Sequence, residues 1–167
     1  MLDKSNFLKT FNEIRLDGGK DDFFSPIQEV DSKTFALGLS VPIDPLNSES
    51  IAPCQITVTF EEDLYHIGFF GKFESDPSQK LKSVCDDNSG LSGPMKEFAI
   101  KFASSLDCSH DKMHGYIVSL NADWPFPPEE DLAGHGLTME EAVSGVIQSH
   151  SLKFGAFMSL ILLKMSE

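Results

Sequence analysis

With 26 Asp+Glu against 13 Lys+Arg, this 167-residue chain carries a net charge of −13, and Arg15 is its only arginine. That sign repels nucleic-acid phosphates and anionic lipid, and it steers basic proteins or cations toward the surface. A hydrophobic content of 41%, with 14 Phe, supplies one core without staples, which argues against disorder and for a single domain over 1–167.

Residues 5–16 read as an amphipathic helix. Phe7, Leu8, Phe11 and Ile14 fall at helical spacing, Ser5 can cap its start, and Asp17-Gly18-Gly19 stops it. Lys20 to Lys33 is polar, contains Pro26 and reads as a loop. Phe35, Leu37, Leu39 and Val41 alternate as a strand with one buried face, and Asp44 to Pro53 is a second loop. Ile56, Val58 and Phe60, then Tyr65, Ile67, Phe69 and Phe73, alternate on either side of Glu61-Glu62-Asp63, which predicts an antiparallel hairpin. Residues 75–93 read as an exposed connection with at most one helical turn. Ser92 and Pro94 open a helix striped by Met95, Phe98, Ala99, Phe102 and Leu106.

His114 to Leu120 reads as a fourth strand. It runs into Asn121 to Pro128, whose prolines rule out helix or central strand. Thr138-Met139-Glu140-Glu141 is a capping box, in which the threonine hydroxyl caps the helix and Glu141 reaches back to the threonine amide. Beyond it, either one helix runs from 139 to about 164, or it breaks near His150-Ser151 and 157–164 closes the sheet as a strand. Few β-branched residues favour the helix, and Gly145 and Gly155 weaken it. The fold class expected is α+β, an antiparallel sheet of about four to five strands with helices packed on one face.

Cys54, Cys85 and Cys108 are odd in number and widely spaced, which fits reduced thiols in a cytoplasmic protein rather than a disulfide framework. The polar start of the chain shows no secretory signal core. The longest apolar run, Phe154 to Leu163, is interrupted by Ser159 and falls short of the roughly 20 residues of a membrane span.

Cys108, His110 and His114 are the one cluster with metal-ligand chemistry, yet they fall in a polar loop, so no metal or other cofactor is expected. The acid pairs Asp21-Asp22, Glu61-Glu62-Asp63, Asp86-Asp87 and Glu129-Glu130-Asp131 all fall in expected turns, without calcium-loop spacing. His135 sits in a Gly-rich loop with no identifiable partner for base catalysis. No nucleophile elbow or phosphate loop occurs, so no enzymatic activity is expected.

Lys and Arg are absent from Thr34 to Gly71 and again from Met113 to Leu152. The second stretch holds Trp124-Pro125-Phe126-Pro127-Pro128, whose aromatics either anchor a basic partner or fold back to lid the core. Expected contacts for a basic protein partner are Glu61, Glu62, Asp63, Asp123, Trp124, Phe126, Glu129, Glu130 and Asp131. No nucleic acid or membrane is expected as a partner. The leading expectation is a stoichiometric inhibitor or immunity protein for a basic toxin or nuclease.

The order helix, three strands, helix, strand, helix, with the acidity, resembles the small acidic type III secretion chaperones. That resemblance implies a dimeric α+β protein holding an extended client segment. It covers the order of elements alone, and no second strand is evident after 114–120. A metal-dependent enzyme built on Cys108, His110 and His114, and a DNA mimic, are the remaining alternatives.

Overall fold

The computed structural model describes residues 2–19, 23–43 and 51–167. Asp21, Asp22, Asp44 and Glu49, with most of the expected loop from Asp44 to Pro53, lie outside the described residues. Helix α1 spans Lys4–Asp17 and is capped by Asp3, whose carboxylate accepts from the Asn6 amide at 3.1 Å; Ser5 lies inside the helix. The cap falls at Asp3 because a carboxylate there reaches a free first-turn N–H. Phe7, Phe11 and Arg15 recur every fourth residue and are buried.

The expected hairpin is present as β3, Cys54–Phe60, and β4, Leu64–Phe73, closed by Glu61 N–H donating to the Leu64 carbonyl at 2.9 Å. Strand β2, Thr34–Leu39, pairs antiparallel with β3, and the two-residue β1, Gln28–Glu29, pairs with β2. The polar stretch after α1 therefore contributes an edge strand. Asp31 makes its turn, its carboxylate accepting from the Lys33 and Thr34 amides at 2.8 Å each. Both β1 side chains are exposed, so no apolar alternation marks the strand.

Residues 75–93 form more structure than their composition suggests. Helix α2, Ser78–Asp86, buries only Leu81 and Val84, and α3, Gly93–Phe102, follows, running into a short 3-10 turn at Ala103–Ser105. Strand β5, Asp107–Asp111, then pairs antiparallel with β6, Gly115–Pro125. Two expectations are corrected here. Cys108 and His110 lie on a strand instead of a loop, and β6 continues through Asn121–Pro125 against Leu64–Gly68 of β4. Pro125 is tolerated there because β5 ends opposite Ser119, leaving the later part of β6 as an edge among the described residues.

Glu129–His135 form helix α4, not a turn, and Gly136 ends it in the left-handed region at φ +66°. One helix, α5, runs unbroken over Met139–Met165. Thr138 caps it by accepting from the Glu141 amide at 3.1 Å. The Glu141 carboxylate accepts from the Thr138 hydroxyl at 3.1 Å, where the sequence pattern points to the backbone amide.

The sheet order is β1-β2-β3-β4-β6-β5, six antiparallel strands among the described residues against an expected four to five. Its apolar face, with Phe35, Ile56, Val58, Ile67 and Phe69, packs on α5 through Phe154, Phe157, Met158 and Ile161, all fully or almost fully buried. The other helices contact α5, so the helices cover one face of the sheet. α5 is long and apolar enough to cross a membrane by length and composition, and here it is the helix of the core. Polar bonds fasten α1 to the rest. Gln148 donates to the Phe11 carbonyl at 2.9 Å, Arg15 to the Phe24 carbonyl at 3.1 Å, and Glu140 accepts from the Asp3 amide at 2.9 Å.

The two glycines of α5 differ in surroundings. A Cβ at Gly145 meets nothing within 4 Å, whereas one at Gly155 lies 2.9 Å from both Leu39 Cδ2 and Val41 Cγ2. Gly145→Ala should stabilise by about 1 kcal/mol through helix propensity. Gly155→Ala gains the same propensity and should still destabilise, by about 1–2 kcal/mol net, because it wedges α5 off β2. Paired urea titrations check this, and equal shifts of the same sign would refute the close contact.

Candidate functional site

The fold distributes the expected contact residues over four places. Glu61, Glu62 and Asp63 are exposed at the β3–β4 turn. Beside them is a hollow of about 490 Å³ with Leu2, Phe60, Phe126 and Met139 in its lining. Lys4 and Lys33 share the rim, and Lys33 Nζ stands 3.5 Å from a Glu61 carboxylate oxygen. Both partners of that pair are exposed, so it contributes little to stability, but it offsets part of the acidity of the turn.

The aromatic residues after β6 turn toward the core. Phe126 is centred 5.3 Å from Tyr65 and stacks on Phe60 at 6.2 Å. Trp124 stacks on Tyr65 at 6.3 Å and meets the His150 ring edge-on at 5.1 Å. Both rings are half-buried, so a partner reaches their outer edges only. Burial holds the His150 imidazole below its ordinary pKa, against a 2.9 Å bond from Nδ1 to the Val146 carbonyl that favours the protonated ring.

Asp123 and Trp124 are neighbours in sequence and project to opposite faces, because successive strand side chains alternate. Asp123 lies on the uncovered face, where its carboxylate contacts His66 Nδ1 from the facing position on β4. Gln55, Thr57 and Thr59 share that face, with Phe70 half-exposed among them.

Glu129, Glu130 and Asp131 form the exposed first turn of α4, just after Pro128. Carboxylates suit this position because the amide ends of a helix are electropositive. His135, in the last turn, donates through Nδ1 to the Asp131 carbonyl at 2.8 Å and serves the helix end.

The metal-type residues diverge. Cys108 Sγ accepts from the Ser78 hydroxyl at 3.7 Å, His110 packs on Tyr116 at 4.7 Å, and His114 Nδ1 bonds Asp111 at 2.9 Å. The His114 hydrogen bond, aided by the Met113 amide, holds the Asp111 carboxyl below the usual range. Among the described residues no three His, Cys, Asp or Glu side chains group as a metal site. All three cysteines are free thiols, and burial pushes Cys54 up to about 12.

Compared with known proteins, the chain matches no family model, no curated protein and no solved structure at a significant level. The free portion of β6 is the feature that sequence reasoning missed. Its signal was present, since Val118, Leu120, Ala122, Trp124 and Phe126 alternate without a break, and the neighbouring prolines masked it.

Proposed function

We propose that this chain is a non-catalytic protein-binding domain that holds an extended cationic segment of a partner, as a secretion-chaperone-like adaptor does. The observation carrying this reading is where the base-free stretch falls. From Met113 to Leu152 no Lys or Arg interrupts β6, α4 and the first half of α5, and Asp123, Glu129, Glu130 and Asp131 are exposed there. Such a one-signed edge raises association rates with cations by steering. Among the described residues only helices α4 and α5 follow β6, so the likeness to small acidic secretion chaperones still lacks a second strand after 114–120 and rests on the acidity and the order of elements. A cytoplasmic setting with reduced thiols belongs to the same proposal.

Stopped-flow association with a fluorescein-labelled heptapeptide of alternating Lys and Val tests it. Neutralising Glu129, Glu130 and Asp131 together should slow association about tenfold at low salt and little at high salt. Neutralising Asp17, Asp86 and Asp87 makes the same change in net charge and should have a much smaller effect. Equal slowing by both sets would refute a localised site. Sedimentation separates adaptor from inhibitor, since the chaperone likeness implies a dimer of twice the 18.4 kDa chain.

The inhibitor reading has one observation of its own. The hollow beside the β3–β4 turn joins an apolar floor at Phe60 and Phe126 to the carboxylates of Glu62 and Asp63, a shape for one protruding basic side chain of a folded partner. A monomer at 18.4 kDa that binds a folded basic protein, but not the heptapeptide, would favour it.

A further inference from the structure

The sheet is unfinished beyond β5. Strand β5 pairs with β6 from Asp111↔Gly115 to Asp107↔Ser119 and stops, while β6 continues against β4 to Leu64↔Pro125. The chain enters β5 from the 3-10 turn at Ala103–Ser105, and among the described residues no strand extends the line of β5 alongside Asn121–Pro125. Hydrogen bonding fixes which groups this leaves open. Phe126 N–H donates to the Asp63 carbonyl at 3.4 Å, and bonded residues alternate along an antiparallel ladder. Ala122 and Trp124 therefore direct their backbone groups to β4. Asn121 and Asp123 direct theirs outward, and both residues are exposed.

The side chains around this opening differ by face. On the uncovered face stand Asn121 and Asp123, with Asp107 at the nearby end of β5; Asp123 is 60% exposed. On the helix-covered face stand Ala122 and the half-buried Trp124. A segment continuing the line of β5 would present alternate side chains to an acidic face and to an apolar one.

We propose that the edge of β6 at Asn121 and Asp123 takes an extended segment of a partner protein as an added antiparallel strand, with Lys or Arg beside Asp123 and apolar side chains beside Trp124. This rests on the cationic-segment reading above and assigns its binding mode. A second copy of the chain is a poor occupant. Each copy carries −13, and Asp123 and Pro125 on the edge are residues that discourage self-pairing. Strand addition takes its affinity from main-chain bonds and its specificity from alternate side chains.

The same Lys/Val heptapeptide tests the mode when N-methylated on alternate residues. In a bonded antiparallel pair the two side chains share a face, so the peptide residues that bond Asn121 and Asp123 are its lysines. N-methylation of the lysines should weaken anisotropy-measured binding at least about tenfold, and of the valines less than about threefold. On binding, the Asn121 and Asp123 amides should become protected from hydrogen exchange, and the Ala122 and Trp124 amides should change little. Salt-dependent binding that ignores both N-methyl patterns would overturn strand addition and leave the cationic-segment reading standing. Sensitivity at the valines alone would overturn the assigned faces. Protection of the two amides in concentrated protein without peptide would replace the partner with a second copy. No binding by any form of the peptide would end both proposals.

Discussion

Phe154→Ala lowers the unfolding free energy by about 3–5 kcal/mol, seen as a fall in the urea midpoint with an unchanged slope. Phe154 is fully buried at the centre of α5, with its ring 5.4 Å from Phe69 on β4 and 6.3 Å from Phe98 on α3. Truncation removes the apolar contact of all three elements at once. The cavity it leaves is bounded by sheet and helix, which cannot collapse into it without moving β4 relative to α5. A loss below about 1 kcal/mol would mean that the helix layer repacks freely, and that this ring is not the joint between the elements.

Ser159→Ala removes a single oxygen and should cost about 2–5 kcal/mol. The Ser159 hydroxyl is buried on α5. It accepts from the Ala52 amide at 3.2 Å and donates to the Val41 carbonyl at 2.5 Å. It therefore joins the chain just before and just after residues 44–50 to the core helix. Alanine leaves a buried donor and a buried acceptor unpaired, each costing about 1–3 kcal/mol. Ser144 is the control within the same helix. Its hydroxyl is equally buried and has no hydrogen-bond partner among the described residues, so Ser144→Ala should be neutral or slightly stabilising. Equal losses at the two serines would show that the Ser159 bonds contribute nothing of their own.

Ser159 also shows how far the sequence can be read. Along the chain it is an interruption in the apolar run from Phe154 to Leu163. In the fold it is the residue the interior needs there, because two backbone groups arrive from residues 41 and 52. Gly155 is similar. Helix propensity counts it as a weakness, and the close approach of Leu39 and Val41 makes it the position where a side chain does not fit. Neither role can be inferred from neighbours in sequence, since each depends on residues more than a hundred positions away.

The elements that were legible share one property, a face that is mostly buried. The hairpin of β3 and β4, strand β2, and helices α1 and α5 all carry a regular apolar stripe, and their periods of 2 and 3.6 identify them. Those missed bury little. β1 and β5 are polar edge strands, α2 buries only Leu81 and Val84, and α4 only Leu132. Pairing or packing against an existing framework holds such segments in place, so local pattern says little about them.

The expected contact residues divide along the same line. Their chemical type and their lack of bases could be read directly, and their arrangement could not. Asp123 and Trp124 look like one acidic-aromatic anchor until the pleat of β6 sends them to opposite faces.

By itself, then, the sequence determined an acidic α+β chain with a phenylalanine core, one long helix or its strand-ended alternative, and two stretches without bases. These follow from composition and local periodicity, which need no knowledge of what packs where. Tertiary structure alone decided that α5 is unbroken, that β5 stops opposite Ser119, and that Asn121 and Asp123 face open solvent. Strand neighbours and sheet edges are set by non-local hydrogen bonding and by which faces the core helix covers, and a linear pattern carries no record of either.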